Sequence, residues 1–338
     1  MYDLWIDISN TPQVHMAKAI ADGMRGRSIF ITGFRRGETE ELMKIYGLQG
    51  RVFGSDKYNP AMKSFAFAYR TFACFLVAPD ANNLLSFENA IPIPSAKARG
   101  MTTILMLDND IKYKGDRPLF QRIENRIKES CDYVIVPEVA KKSFSTHFDN
   151  VLTYPGFKEQ IYLADFVPDP NFTESLPFDE YVVVRPESLT SLYVMGNKSI
   201  VPELCRLLKR ENFNVVYLPR NREEGAIVKG VDVYVPPRAL DGLNLVYHAD
   251  AVLTGSGTMA REAAVLGVPA VSFFPGSELL AVDRELIGKN LLFHSRDTAR
   301  ILEYLLRHSR NSELSRFDRL IVANKIKTYV LDILNKII

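Results

Sequence analysis

The segment LTGSGTMAREAAVLGVPAVSF, residues 253–273, holds an apolar run, a cluster of glycine and hydroxyl residues, a helical pattern and a second apolar run. Such a strand, turn, helix and strand in sequence is one unit of a parallel sheet. Helix 258–266 buries Met259, Ala263 and Leu266 as one stripe, and Gly267 and Pro269 stop it before strand 270–274. In an open parallel sheet the loops beyond the carboxyl ends of the strands hold ligands. Gly255 and Gly257 let a backbone approach closely there, and Ser256 or Thr258 can cap the helix or bond a phosphate. Glu262 has no place in a capping box, because the residues three beyond Ser256 and Thr258 are Met259 and Arg261. Helical side chains lean toward the helix start, so its carboxylate reaches back toward a group lying there, and a ribose diol suits it.

The same alternation extends outward in both directions. Before residue 149 the strands are read at 2–8, 28–33, 51–54, 83–87, 102–107 and 133–137, with helices at 14–24, 39–47, 60–76, 93–99 and 119–131. Residues 149–179 carry four prolines and no sustained periodicity, which marks a domain boundary. A second series follows, with strands at 181–186, 215–220, 231–237, 251–255, 270–274 and 291–293. Its helices are read at 201–212, 240–249, 258–266, 297–307 and 312–334. The expected architecture is α/β, two Rossmann-type domains over 1–160 and 178–310 with a cleft between their parallel sheets, and a terminal helix over 311–338. Hydrophobic residues at 47% and charged residues at 24% suit a globular chain of 338 residues. A net charge of +2 gives no support to nucleic-acid recognition. Cys74, Cys131 and Cys205 fall in no metal-ligand spacing and read as reduced core thiols, and no metal site is expected. The chain has neither a basic leader nor a run of about 20 apolar residues, so a cytoplasmic location is expected.

The segment SGTMAREAAVLGVPAV resembles the S-G-T/G-x-x-x-E-A segment of the GT-B superfamily of glycosyltransferases and of the related UDP-N-acetylglucosamine 2-epimerases. In those proteins it holds the diphosphate and ribose of a nucleotide sugar. The stretches WIDISNTPQVH, YPGFKEQIYL and YVVVRPESLTSLY look like an archaeal and bacterial family, domain of unknown function 354, over nearly the whole chain. The resemblance implies a GT-B arrangement, with the nucleotide mainly on the C-terminal domain and the acceptor on the N-terminal one.

With that geometry, Arg185 and Arg220 end strands of the second series and are expected to bind diphosphate beside Gly255, Ser256, Gly257, Thr258 and Glu262. Helix dipole and basic residues then take the place of a metal ion. In the first series Asn10, Thr11 and His15 follow strand one, Glu88 ends strand 83–87, and Asp108 and Asp110 follow strand 102–107. His15 or one of these carboxylates would act as catalytic base. The leading expectation is a metal-independent glycosyltransferase that uses a nucleotide-diphosphate sugar and a sugar, lipid or other small acceptor, with no further cofactor. The alternatives are a nucleotide-sugar 2-epimerase using Glu88, Asp110 and Glu124, and a nucleotide-sugar-binding protein without chemistry. The epimerases open their C-terminal domain on a strand leading to G-H-R, and this chain departs from them with VVVRPE. Two basic amphipathic stretches, 60–76 and the terminal helix with Arg316, Arg319, Lys325 and Lys327, suggest peripheral contact with the inner membrane face.

Overall fold

A computed structural model describes residues 1–35, 39–54, 63–187, 198–308 and 313–338. Residues 60–62 and 312 of two expected helices, and residues 188–193 of the YVVVRPESLTSLY segment, lie outside the described residues. The chain divides into two compact units. The first comprises Met1–Ala164, Leu280–Val282 and Ala323–Ile338, and the second Asp165–Leu279 and Asp283–Val322.

The first unit is built on β1 (Tyr2–Ile8), α1 (Thr11–Gly23), β2 (Ile29–Phe34), α2 (Thr39–Ile45), β3 (Gly50–Phe53), α3 (Lys63–Val77), β4 (Ala81–Phe87), α4 (Ile93–Ala98), β5 (Thr102–Met106), α5 (Leu119–Glu129), β6 (Tyr133–Pro137), α6 (Lys141–Phe144), β7 (Val151–Tyr154) and α7 (Lys158–Leu163). Its seven strands are parallel in the order β3-β2-β1-β4-β5-β6-β7. Helices cover both faces of a parallel sheet, so its central strands read as continuous apolar runs, and Leu4, Trp5, Ile6 and Ile8 of β1 are fully buried. The α1 helix starts where Asn10 Oδ1 accepts the Gln13 amide at 3.3 Å. The stretch 149–179, read from sequence as a boundary without periodicity, contains β7 and α7. A strand of four residues between an Asp-Asn and a Pro-Gly pair is too short to show a period.

The second unit contains β8 (Val182–Arg185), α8 (Val201–Arg210), β9 (Val215–Tyr217), α9 (Arg222–Ala226), α10 (Gly242–His248), β10 (Ala251–Thr254), α11 (Gly257–Leu266), β11 (Ala270–Ser272), most of α12 (Ala281–Gly288), β12 (Phe293–His294), α13 (Thr298–Arg307) and the first part of α14 (Glu313–Ile337). Its sheet is parallel in the order β12-β11-β10-β8-β9. Where a strand was expected at 231–237, the described residues make one parallel bridge, Val216 with Tyr234. Val182, Val184, Leu204, Tyr217, Leu253, Val271, Phe273 and Ile301 form the core on one face. Gly267 closes α11 with φ 78°, a left-handed value that favours glycine, and its amide returns to the Ala264 carbonyl at 3.2 Å.

Strand order reverses between β1 and β4 in one sheet and between β8 and β10 in the other. At such a reversal the crossovers leave to opposite faces, and a crevice opens beyond the carboxyl ends of the two strands. No helix among the described residues is long and apolar enough to cross a membrane. Of the four basic residues expected on the outer face of the terminal helix, Lys325 alone is exposed. Arg316 is fully buried and donates to the Tyr247 carbonyl, Arg319 donates to the Ala264 carbonyl at 3.4 Å, and Lys327 is buried. Arginines long enough to reach a helix carbonyl turn inward when their stems pack on apolar neighbours.

Candidate functional site

In the second unit β8 and β10 run side by side, with Arg185 opposite Thr254, and the Gly255 amide donates to the Arg185 carbonyl at 3.0 Å. Thr254 Oγ1 then accepts the Ser256 amide at 2.8 Å and turns the chain into α11. Ser256 occupies the N-cap position in extended conformation (φ −97°, ψ 117°), yet its hydroxyl makes no capping bond. The first turn of α11 also holds no acidic residue. This helix end therefore presents amide donors and the positive pole of its dipole without a side-chain cap from Ser256, which is the electrostatic form of an anion site.

The two glycines serve different neighbours. A Cβ on Gly255 would lie 2.6 Å from the Cα of Glu187, so the close approach it permits is to the chain just beyond β8. A Cβ on Gly257 would lie 2.9 Å from Nη1 of Arg261, whose buried guanidinium lies over the start of α11 and donates to Asp283 Oδ1 at 3.0 Å. A cation at a positive helix end is unfavourable by itself. Asp283 offsets it, and an anion bound there would offset it further. Glu262 is 9% exposed, one turn into the helix.

Arg185 is partly buried at the end of β8. Arg220 is engaged by its own surroundings. Its guanidinium donates to Glu224 Oε1 at 2.8 Å and to the Pro186 carbonyl at 3.0 Å, and its amide donates to Glu224 Oε2 at 2.6 Å. It thus ties the β9 loop to the β8 loop. Glu187, which is not among the residues expected from sequence, is buried beyond β8. Its carboxylate accepts from Ser199 at 2.7 Å, the Ile200 amide at 3.3 Å and Arg296 Nη1 at 3.0 Å. Arg261 is likewise not among them, although an arginine inside an otherwise buried helical stripe was the available signal.

In the first unit the reversal between β1 and β4 is laced by polar side chains. Gln13 Nε2 donates to the Phe87 carbonyl at 2.9 Å, and Asn89 Nδ2 donates to Asp7 Oδ2 at 2.6 Å. Asp7 Oδ1 accepts from Thr32 Oγ1 at 2.6 Å, and that hydroxyl accepts from Trp5 Nε1 at 2.7 Å. Burial pushes the Asp7 carboxyl up to about 6, against the opposing pull of Thr32, Arg70 and Asn89. The signal for Asp7 was an acid inside an apolar strand. His15 pairs with the Tyr46 hydroxyl at 3.0 Å through Nδ1 and stacks on Tyr162.

The three acids of the epimerase reading separate into two sets. Glu88, with the left-handed φ of 55°, accepts the Asp108 amide at 2.8 Å and the Asn109 amide at 3.0 Å, and pairs with Lys112 at 3.4 Å. Glu124 pairs with the fully buried Lys128 at 2.5 Å. Burial and the positive charge of Lys112 lower the pKa of Lys128, while the charges of Glu88 and Glu124 oppose the shift. Those two acids therefore share one electrostatic neighbourhood. Asp110 is engaged elsewhere, by Lys114 at 2.5 Å, Ser143 at 3.2 Å and the Ala281 amide at 3.0 Å. Asp108 pairs with Lys158 at 2.7 Å. Among the described residues no group of three or more His, Cys, Asp or Glu could hold a metal ion.

The fold is GT-B-like, with two parallel-sheet α/β units. It is similar to that of a UDP-N-acetylglucosamine 2-epimerase from Rickettsia bellii, with a TM-score of 0.72 at 14% identity over 99% of this chain and 97% of the other. A glycosyltransferase from Rickettsia africae is similar with a TM-score of 0.60 at 12% identity, over 99% of this chain and 97% of the other. An uncharacterized protein of Methanocaldococcus jannaschii is 28% identical over 318 residues, 90% of each chain. The model of a family described as a protein of unknown function, DUF354, matches residues 2–335, so the chain belongs to the DUF354 family.

Proposed function

We propose that this chain is a cytoplasmic enzyme acting on a nucleotide-diphosphate sugar, and that its reaction is inversion at a sugar carbon of the 2-epimerase kind. The observation that carries the nucleotide part is the start of α11, where the Ser256 side chain does not cap the helix end and the buried Arg261 guanidinium lies over it. Gly255, Ser256, Gly257 and Thr258 would receive the diphosphate with Arg185 and Arg261, and Glu262 would accept from the ribose hydroxyls. Arg220 would act by holding the β8 loop through Pro186. Three free thiols, two of them buried, fit a reducing compartment.

Inversion by proton exchange takes a proton from one face of a carbon and returns one to the opposite face, a task that two proton-handling groups can divide. Glu88 and Glu124, paired with Lys112 and Lys128, supply acids and amines in one electrostatic neighbourhood. Asp110 would serve the fold through the Ala281 amide, and His15 stays a candidate base. The higher TM-score of the Rickettsia bellii 2-epimerase supports this reading over transfer. Arg185, standing where those epimerases carry their G-H-R segment, favours the second reading, glycosyl transfer to a small acceptor without a metal.

Thermal unfolding with UDP, GDP, ADP and their sugars tests the nucleotide site, since ligand at a hundredfold excess over Kd stabilises by about 2.7 kcal/mol. Absence of any shift would reject both readings. Incubating the best nucleotide sugar in deuterated water without acceptor separates them. A C2-inverted product carrying solvent deuterium identifies the epimerase, whereas nucleotide release that depends on an added acceptor identifies the transferase.

A further inference from the structure

The helices α3, α4 and α5 connect β3 to β4, β4 to β5 and β5 to β6, progressing across the sheet in one direction. Right-handed crossovers in one direction place all three on the same face. Accordingly α3 packs on α4, α4 packs on α5, and Phe67 of α3 meets Phe120 of α5 edge-on at 5.4 Å.

A helix covering a sheet turns apolar residues inward and polar ones to water. This layer has apolar residues on both sides. Cys74 is fully buried beneath α3, yet Tyr69 (51%), Phe72 (63%) and Leu76 (72%) are exposed at a helical spacing along its outer side. Leu119 (71%) and Ile123 (49%) continue the stripe on α5 beside the Phe67 and Phe120 contact. No charged side chain interrupts it on α3 beyond residue 66, because the guanidinium of Arg70 lies on the ring of Phe34, 3.4 Å from its centroid.

The rim is basic. Arg122 is exposed on α5, Arg126 is exposed there with Nη1 3.4 Å from Glu129, and Arg99 lies exposed at the end of α3, donating to the Phe75 carbonyl at 2.7 Å and the Ala78 carbonyl at 3.4 Å. The acids of α5 are already paired, Glu124 with Lys128 and Glu129 with Arg126 and His147. Aromatic and aliphatic side chains bordered by arginines match the interface of a bilayer, where rings sit at headgroup depth and guanidiniums bond lipid phosphates. From the exposed stripe and its basic rim we infer that the outer face of α3 and α5 docks on the surface of an anionic lipid bilayer.

Co-sedimentation with phosphatidylcholine vesicles, with and without phosphatidylglycerol, tests this inference. The full chain is expected to sediment with the phosphatidylglycerol vesicles and to be released as salt rises from about 0.1 to 0.5 M. The double variant F72S/L76S is expected to lower partitioning about tenfold or more, and R122E/R126E to remove the preference for the anionic lipid. Trp5 is the sole tryptophan and is fully buried, so unchanged emission in each variant certifies the fold. Equal sedimentation with both vesicles, undiminished binding by F72S/L76S, or a dimer in analytical ultracentrifugation that F72S/L76S converts to monomer would overturn the inference, the last by giving the face to a second copy.

Discussion

Asp7 shows how one buried acid couples the fold to pH. Its carboxyl titrates at about 6 in the folded chain and at an ordinary value near 3.8 when unfolded. An acid with a raised folded pKa binds a proton more tightly in the native state, so stability is greatest below the unfolded value and falls as pH rises through the window from about 4 to about 6. The fall amounts to about 2 to 3 kcal/mol. Asp7→Asn removes the titration, so urea unfolding between about pH 4 and 7 should give a flatter stability profile for the variant. Parallel profiles would show that Asp7 does not drive the dependence. The two glycines before α11 make a second contrast at this scale. Gly255→Ala drives a methyl group against Glu187 Cα, which is backbone, and should cost about 2 kcal/mol. Gly257→Ala meets side-chain atoms of Arg261 rather than backbone, so it should cost less than Gly255→Ala while that guanidinium shifts and nucleotide affinity falls. Glu262→Ala should raise the nucleoside diphosphate Kd about tenfold through a lost charged hydrogen bond. Calorimetric titration reads both affinities, and an undiminished affinity in Glu262→Ala would remove the ribose from its role.

At the scale of elements, legibility in the sequence followed length and punctuation. The unit from β10 through α11 to β11 was readable because apolar runs bracket a helix that ends at Gly267 and Pro269, and each feature has a local cause. Four-residue β7 lacked a period, and the expected strand around Tyr234 shrank to a bridge beside β9. Tertiary pairing decides such short segments, and no local signal announces it. The carboxylates after β4 and β5 were visible as strand-end acids, but their partners were not. Asp110 illustrates the difference, since its Oδ1 holds the amide of Ala281, a residue 171 positions away. Asp110→Ala would leave Lys114 and that amide without their acceptor and should destabilise the chain by about 3 kcal/mol or more. Asp110→Asn keeps an acceptor for the Ala281 amide and should recover part of the loss, as urea midpoints would read. If both variants kept the midpoint but lost turnover, Asp110 would return to the catalytic set.

For the whole molecule, the pattern of strands and helices yielded two parallel-sheet units, but the direction in which the terminal helix faces could not be read from composition. Its basic residues suggested a solvated or lipid-facing side, whereas Arg316 and Lys327 turn inward and Ile321, Val322 and Tyr329 remain exposed. What decides its role is the apolar series Ala323, Ile326, Val330 and Leu334, each less than a tenth exposed and counted in the first unit. Leu331 fills the space over Gly23 of α1, and Ile326 packs over Gly156. Three large aliphatic side chains buried at about 1.5 to 3 kcal/mol each contribute roughly 5 to 9 kcal/mol. A domain is stable by only about 5 to 15 kcal/mol in total, so this last stretch is comparable to the whole margin. A chain ending at Val322 is therefore expected to lose the folded first unit, with a red shift of Trp5 emission and rapid proteolysis within residues 1–164. Val330→Asp places a charge at a fully buried position and should lower the urea midpoint without removing any residue. If the shortened chain instead kept the emission of Trp5 and the original midpoint, the sheet of seven strands would be stable alone and the terminal helix dispensable to it.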